Sequence, residues 1–284
     1  MKGTPALKLG LIGDNISRSR SPALHRLAGE QCGIEVQYDR LIPRELGESF
    51  NAVFDTCAGQ GYRGINVTYP YKELAAAKVI IADPLIRALG AVNTVLFEQD
   101  GPHGFNTDYT GFIAAYRASR GDNAPGVACL IGTGGVGRAL AFALVALEAR
   151  EIRLVDKDLR KAEALAADLN ALESETRVSV FTDAVQAAQG ATGLLNGTPV
   201  GMVGYEGTPL PAEAMSGLEW AFDAVYTPDN TQLLKDAKMA GLSVISGYEL
   251  FFHQGVHAWA HFAGQKLDDD ALRAALQDNE VNSL

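Results

Sequence analysis

The sequence predicts an α/β protein with two domains, and three observations carry this prediction. Short apolar runs of β-forming residues alternate with helix-forming runs through most of the 284 residues, a pattern typical of parallel sheets covered by helices. A glycine-rich turn at residues 132–137 lies between a strand-like and a helix-like run. The alternation breaks at residues 101–107 and again at 121–126, so we place a domain junction in this region.

The amino-terminal half contains three strand and helix pairs. Strands are predicted over residues 9–12, 36–42 and 64–67, and helices over 22–32, 44–58 and 72–80. After the break at 101–107, a helix over 109–117 leads into the turn-rich residues 121–126. The alternation predicts a parallel sheet.

The carboxy-terminal half has room for six strands. They are predicted over residues 127–131, 152–155, 178–181, 193–196, 220–225 and 243–245, with helices over 138–147 and 161–172. The last stretch, with helices over 247–263 and 268–276, is too short to fold alone. We expect it to return and pack on the first domain.

The glycine-rich turn has the context of a dinucleotide site, since it follows a predicted strand and opens a helix. Glycines allow backbone N–H groups to approach a pyrophosphate at the helix N-terminus. Asp156 lies 19 residues beyond the last glycine and ends the next predicted strand, where a carboxylate can bind both hydroxyls of an adenosine ribose. A purely structural turn is the alternative. The residues assigned to the cofactor NAD are Gly132, Gly134, Gly135, Val136, Gly137 and Asp156.

The predicted domains follow from these patterns. Residues 109–246 form a Rossmann domain that binds NAD. Residues 1–108 together with 247–284 form a discontinuous amino-terminal α/β domain closed by the carboxy-terminal helices, which would hold the substrate.

Composition limits the classes of partner. The net charge of −10 argues against nucleic acid and anionic membranes, which bind clustered basic surfaces, and favours a small molecule. Cys32, Cys57 and Cys129 are far apart and form no CxxC pair, which indicates reduced thiols and a cytoplasmic protein. We expect no signal peptide, because the amino end lacks the apolar stretch and the cleavage site of one. We expect no membrane span, because the apolar residues 127–147 contain Arg138 and several glycines.

Polar segments follow the amino-terminal strands, where open α/β sheets bind their ligands. They cover residues 17–22, 66–72, 93–94 and 106–108. Each has an ordinary explanation as a helix start, a cap or a solvated lysine. Together, their hydroxyls and amides suit a small polyhydroxylated substrate.

Lys72 and Asp108 are the candidate acid/base pair. Lys72 starts a predicted helix, where the helix dipole and partial burial favour release of its proton, and a nearby carboxylate would orient the ammonium group. His253, His257 and His261 are spaced four apart, but the outer two lie about 12 Å apart along a helix. One metal ion cannot bind all three, and a site of two histidines is the alternative, with no obvious carboxylate or thiolate ligand nearby. We therefore predict no metal site and regard Gln254 as the functional residue here.

These segments resemble the motifs of the shikimate dehydrogenases, including the branch that also oxidises quinate, over nearly the whole chain. Residues 19–25, SRSPALH, are similar to the family's SxSPxxH segment, and residues 64–72, GINVTYPYK, to its GxNVTxPxK signature. The resemblance implies that Ser19 and Ser21 hold the substrate carboxylate and that Lys72 is catalytic. Residues 90–94 and 106–108 are similar to the segments that supply a substrate-binding asparagine and the catalytic aspartate.

The resemblance also implies the rest of the site. Substrate-binding residues would be Ser19, Ser21, Asn66, Thr68, Asn93, Tyr226 and Gln254. Further cofactor-binding residues would be Asn196, Thr198, Pro199, Val225 and Gly247. The implied fold is the one predicted above, and we expect a monomer or homodimer.

Departures from the family pattern bear on cofactor and substrate. NADP-dependent members carry Asn-Arg-Thr where this chain has Asp156-Lys157-Asp158, and carboxylates there would repel a 2′-phosphate, so NAD is favoured. Ser21 favours shikimate, since quinate-using relatives tend to have threonine, whereas an NAD preference is commoner among quinate enzymes. Tyr109 replaces the usual glycine and Ser246 the usual aspartate.

We therefore predict an NAD-dependent shikimate dehydrogenase that interconverts shikimate and 3-dehydroshikimate. The alternatives are a catabolic quinate/shikimate dehydrogenase that converts quinate to 3-dehydroquinate, and a diverged NAD-binding member without activity. A folate-linked dehydrogenase is disfavoured by the GxNVTxPxK signature.

Overall fold

The computed structural model describes residues 6–281. The chain divides into two compact units. The first runs to Thr107 and resumes at Gln254, and the second comprises Asp108–His253. The second junction thus falls inside a helix, seven residues after the predicted boundary at 246/247.

The first unit is built on a five-stranded sheet in the order β2-β1-β3-β4-β5. Its strands are β1 (Leu7–Ile12), β2 (Val36–Leu41), β3 (Gly64–Val67), β4 (Thr94–Glu98) and β5 (Gly101–Phe105). Its first helices are α1 (Ser21–Cys32), α2 (Pro43–Leu46), α3 (Phe50–Gly59), α4 (Lys72–Ala76) and α5 (Pro84–Leu89).

The prediction of a parallel sheet was wrong for part of this unit. Strand β1 is parallel to β2 and β3, but β4 is antiparallel to both β3 and β5. Residues 101–105, predicted as a break, form β5 because glycine and proline are tolerated in an edge strand.

Two predicted helices differ in extent. The helix over 44–58 is interrupted, since Gly47 ends α2 in the left-handed region (φ 70°) and the Ser49 hydroxyl caps α3 by accepting from Ala52 N–H. The helix over 72–80 ends at Ala76, because Ile80 instead forms a β-bridge with His103. The helix α5 was not predicted.

The second unit contains a six-stranded sheet, as predicted. Its strands are β6 (Val127–Ile131), β7 (Glu151–Val155), β8 (Arg177–Phe181), β9 (Gly193–Asn196), β10 (Trp220–Asp223) and β11 (Ser243–Ile245), all parallel in the order β11-β10-β9-β6-β7-β8. Its helices are α6 (Thr107–Arg120), α7 (Gly135–Ala146), α8 (Leu159–Asn170), α9 (Ala184–Ala188) and α10 (Gln232–Met239). The helix α11 (Gly247–Ala263) begins in the second unit and ends in the first, which also contains α12 (Asp269–Val281).

The order of the strands creates a switch point. From β6 the chain adds β7 and β8 on one side, then returns to add β9 on the other. Loops after β6 and β9 therefore diverge at the carboxyl edge, where doubly wound sheets bind dinucleotides. Every residue of β6 and of β9 is buried, as expected for central parallel strands.

Carboxy-terminal helices cover one face of the first sheet, which confirms the predicted fold class. Phe262 and Ala258 of α11 pack with Leu9 and Leu96 of the sheet, and α12 packs against α1. The approach is close, because a Cβ on Gly64 would lie 2.4 Å from the Phe262 ring. Within residues 6–281, no helix is long and apolar enough to cross a bilayer.

Candidate functional site

Two serine hydroxyls lie side by side at the start of α1. The Ser19 hydroxyl donates to Ser21 Oγ at 3.2 Å, and Ser21 N–H donates to Ser19 Oγ at 3.3 Å. Arg40 donates to the Ser19 carbonyl at 2.9 Å and holds this turn in place. Paired hydroxyls at a helix N-terminus fit an anionic group.

A buried cluster joins the ends of β3 and β4 to the start of α6. Asn93 Oδ1 accepts from Thr107 N–H at 2.7 Å, from the Thr107 hydroxyl at 3.1 Å and from the Thr94 hydroxyl at 3.1 Å. These bonds engage the oxygen end of the Asn93 amide. Its Nδ2 group is therefore the end suited to donate to a substrate oxygen.

Asn66 belongs to the same cluster, and its amide is oriented by a tyrosine. The Tyr38 hydroxyl donates to Asn66 Oδ1 at 2.9 Å, while Asn66 Nδ2 donates to Thr94 Oγ1 at 3.1 Å. Tyr38 is 3% exposed. Because the tyrosine fixes which end of the amide accepts, it sets the polarity that Asn66 presents.

Lys72 and Thr68 lie on the segment that follows β3. Lys72 is the first residue of α4, is half-buried, and accepts through its carbonyl from Val92 N–H at 3.1 Å. Thr68 N–H donates to the Ile12 carbonyl at 2.9 Å. These bonds tie the lysine segment to β1 and to the residue that precedes Asn93.

The other residues predicted to act on the substrate occupy three further positions. Gln254 Oε1 lies 3.5 Å from the Thr107 hydroxyl within the first unit, as a second and longer acceptor for the proton that Asn93 Oδ1 accepts at 3.1 Å. Asp108 is buried in the first turn of α6 and begins the second unit. Tyr226 also belongs to the second unit, where its ring stacks on Phe251 with centroids 5.4 Å apart.

The glycine turn is shaped for close backbone approach. Gly132 has φ 94°, and a Cβ on Gly137 would lie only 1.9 Å from the Gly132 carbonyl oxygen. Gly135 and Val136 open α7, whose first N–H groups have no partner within the helix. A Cβ on Gly134 would meet nothing within 4 Å, so this side of the turn has room for a phosphate. These features fit a dinucleotide.

Asp156 is held by the turn itself. Its Oδ2 accepts from Thr133 N–H and from the Thr133 hydroxyl, each at 2.7 Å, and its Oδ1 accepts from Asp158 N–H at 2.9 Å. Burial by itself would raise the pKa of Asp156, but these hydrogen bonds and Lys161 bring it below its ordinary value. Since a carboxylate offers about four acceptor positions, about one remains for a ribose hydroxyl.

The loop after β9 contacts the glycine turn. Thr198 N–H and its hydroxyl donate to Asn196 Oδ1 at 3.0 and 2.6 Å, and a Cβ on Gly132 would lie 2.6 Å from Thr198 Cγ2. The Pro199 carbonyl accepts from Met202 N–H at 3.0 Å in the same loop. Residues 132 and 198 thus meet at the switch point.

Val225 and Gly247 meet nearby in the second unit. A Cβ on Gly247 would lie 2.5 Å from the Val225 carbonyl oxygen. Only glycine allows the start of α11 to approach the end of β10 this closely.

Comparison with known proteins gives the chain its family. The family model for the shikimate dehydrogenase substrate binding domain matches residues 11–95. Over 275 residues the chain is 35% identical to a quinate/shikimate dehydrogenase (NAD(+)) of Corynebacterium efficiens, covering 95% of this chain and 97% of the relative. The chain belongs to the shikimate dehydrogenase family.

Other members of the shikimate dehydrogenase family differ in cofactor. A shikimate dehydrogenase (NADP(+)) of Pseudarthrobacter chlorophenolicus is 33% identical over 276 residues, covering 95% of this chain and 94% of the relative. The structure of quinate dehydrogenase from Corynebacterium glutamicum in complex with NAD superposes with a TM-score of 0.89 at 31% identity, covering 96% of this chain and 99% of that one. Like these relatives, the chain is an oxidoreductase with a Rossmann-type NAD-binding fold.

Three residues of the site were not identified from the sequence. Thr133 stands inside the glycine motif. The available signal was a hydroxyl within this turn together with Asp156 at the end of the next strand, which can accept from it. Tyr38 occupies a buried position of β2, and no local pattern marks it. Asp223 ends β10 and accepts from Asn196 Nδ2 at 2.9 Å; the signal was a charged residue at the end of an apolar strand.

Two histidines of α11, His257 and His261, are largely withdrawn from solvent, and His253 lies 3.8 Å from Glu249. His261 stacks on Phe105 with centroids 3.7 Å apart, and burial lowers the pKa of both His257 and His261. Among residues 6–281, no group of three or more histidine, cysteine or carboxylate side chains is arranged to hold a metal ion.

Proposed function

We propose that this protein is an NAD-dependent shikimate dehydrogenase that interconverts shikimate and 3-dehydroshikimate. The observation that carries the proposal is the polar surface of the first unit. There the Ser19 and Ser21 hydroxyls suit a carboxylate, and the Asn66 and Asn93 amides suit hydroxyl groups. Shikimate carries both kinds of group. Residues 1–108 with 247–284 would bind it, and residues 109–246 would bind the dinucleotide.

Lys72 and Asp108 are the proposed acid/base pair. Bound NAD+ supplies the acceptor for the hydride that leaves the substrate carbon. As that hydride leaves, the substrate hydroxyl must lose its proton, and Lys72 Nζ would take it. Asp108 is buried, and its carboxylate would accept a hydrogen bond from the lysine and orient it towards the substrate hydroxyl.

The preference for NAD over NADP rests on Asp156. Its carboxylate is fixed by three donors and carries a negative charge where an NADP 2′-phosphate would lie. An aspartate is ionised at neutral pH, and the hydrogen bonds that lower the pKa of Asp156 further stabilise this charged form. With about one acceptor position left, it would bind one ribose hydroxyl rather than the two expected from the sequence.

Quinate is the second candidate substrate. The relative from C. efficiens is named for both quinate and shikimate and for NAD(+), and the superposed structure from C. glutamicum is a quinate dehydrogenase. Quinate offers the same carboxylate and hydroxyl chemistry to Ser19, Ser21 and the amide cluster.

The test is a steady-state comparison of shikimate and quinate with NAD+ and NADP+. We expect the largest kcat/KM for shikimate with NAD+. A larger value for quinate would replace the substrate assignment, and a larger value with NADP+ would replace the cofactor assignment. NADH binding without turnover of either substrate would indicate a diverged binding protein.

A further inference from the structure

A fully buried carboxylate, Asp223, ends β10. Asp223 has no exposed surface and accepts three hydrogen bonds. The donors are the Thr231 hydroxyl at 2.6 Å, Asn196 Nδ2 at 2.9 Å and Val225 N–H at 3.0 Å. Burial raises the pKa of Asp223. Because all three partners donate, this position requires a side chain that only accepts.

Asp223 determines which way the Asn196 amide faces. Asn196 Nδ2 donates to Asp223 and also to the Val200 carbonyl at 3.0 Å. Its Oδ1 consequently points to the loop after β9, where it accepts from Thr198 N–H and the Thr198 hydroxyl. A rotated amide would place its N–H groups against Thr198 N–H and its oxygen against Asp223 and the Val200 carbonyl, so Asp223 fixes the orientation together with these two groups.

The hydrogen-bonded series Asp223, Asn196 and Thr198, called the relay below, ends at the glycine turn. Thr198 Cγ2 lies against Gly132, so closely that a Cβ on Gly132 would be 2.6 Å away. Strands β10, β9 and β6 are adjacent in the sheet. Asp223, Asn196 and Thr198 therefore connect three neighbouring strand ends at the switch point, and the last of them borders the turn that fits a dinucleotide.

We propose that Asp223 is a positioning residue for the dinucleotide: through Asn196 it fixes residues 197–200 against the glycine turn and so sets the shape of the cofactor site. This inference rests on the proposed function, because it takes the ligand of the turn to be NAD. Asp223 touches no reacting atom. It acts through the direction of one amide group.

The alternative is that Asp223 only stabilises the fold, and the two roles give different results. Asp223→Asn keeps the shape but replaces one acceptor oxygen with a donor, which conflicts with Thr231 or Asn196. A purely structural residue would change the thermal midpoint without changing affinity for the cofactor. A positioning residue changes affinity, and its effect depends on Thr198.

The experiment is a double-mutant cycle on NADH binding. The dissociation constant of each variant is measured by fluorescence titration with NADH in the absence of substrate. The variants are Asp223→Asn, Thr198→Val and the double mutant, with Leu233→Ala as a control that truncates a buried core residue outside the relay. We expect Asp223→Asn to weaken NADH binding about 5- to 50-fold, and the double mutant to bind no more weakly than the weaker single variant. Leu233→Ala should lower the thermal midpoint and leave the dissociation constant unchanged.

Several results would overturn the inference. Additive effects of the two substitutions, or a lowered thermal midpoint with unchanged NADH affinity in Asp223→Asn, would show a structural role only. If Asp223→Asn does not fold, Thr231→Val removes one donor and tests the same coupling with a smaller expected loss of affinity. Failure of the wild-type protein to bind NADH would instead refute the proposed function, and the inference with it.

Discussion

Replacement of Asp156 by serine together with Lys157→Arg tests the cofactor assignment most directly. In the structure, Thr133 N–H, the Thr133 hydroxyl and Asp158 N–H all point at the Asp156 carboxylate. Without that carboxylate these three donors face the space beside the turn, where they can bind an anion. The arginine adds a cation able to pair with a phosphate.

The size of the effect follows from the charge that is removed. Two unit charges about 4 Å apart interact by about 1 kcal/mol in water and about 4 kcal/mol at an effective dielectric constant near 20. Asp156 is half-buried, so its repulsion of a 2′-phosphate lies between these limits. That range corresponds to about a 5- to 1,000-fold shift in the ratio of kcat/KM for NADP+ to kcat/KM for NAD+.

The assay measures kcat/KM for both cofactors with the better substrate, at low and at high salt. Asp158→Asn is the matched control, because it removes a neighbouring charge but leaves Thr133 bound to Asp156. We expect a much smaller shift for the control and a smaller shift for the double variant at high salt, where charges are screened. An unchanged cofactor ratio in the Asp156 variant would refute the argument.

Three further predictions concern catalysis and folding. Lys72→Ala should lower kcat by about two to four orders of magnitude while NADH still binds, and Lys78→Ala should leave kcat near wild type; normal turnover of the first variant would contradict the acid/base role. Burial lowers the pKa of His25 to about 4, so its stabilisation is complete above about pH 6.5 and is lost as the pH falls towards 4. Between about pH 7 and about pH 5, the free energy of unfolding measured in urea should therefore fall by about 2 kcal/mol more in the wild type than in His25→Phe. Equal decreases in the two proteins would exclude His25 as the cause. Gly137→Ala, whose Cβ would lie 1.9 Å from a backbone oxygen, should lower the free energy of unfolding by about 1–3 kcal/mol, whereas Gly134→Ala, with nothing within 4 Å, should not; similar thermal midpoints would count against the turn geometry.

Local signals predicted the second unit well because its six strands are parallel and its central strands are buried. All six of its strands were predicted, since apolar runs separated by helices are a strong pattern. The first unit was less predictable. Residues 101–105 have turn-like composition, and they form β5 only because β4 lies beside them.

The lengths of helices in the first unit depended on contacts that no local pattern reveals. The predicted helix over 72–80 ends at Ala76 because Ile80 pairs with His103, 23 residues further along the chain. Its dipole is correspondingly that of a five-residue helix, weaker than the sequence suggested for Lys72.

The candidate site shows the same division. The Ser19 and Ser21 pair is local, and its two hydroxyls were identified through the resemblance of residues 19–25 to a family segment. The amide cluster was only partly visible, since Asn66, Asn93 and Thr107 come from separate segments and meet through strand pairing. The role of Tyr38 depends on the parallel pairing of β1 with β2 and β3, which brings it to Asn66.

The sequence by itself determined the fold class, the glycine turn and the presence of a carboxylate at Asp156, because each depends on the types and spacing of nearby residues. Only the tertiary structure decided what those groups have left to offer a ligand. Thr133 and Asp158 take three of the acceptor positions of Asp156, and Asp223 sets the direction of Asn196. The acceptor and donor positions of these side chains are occupied by neighbouring residues, and the order of the strands determines which residues are neighbours. Strand order is a property of the folded chain.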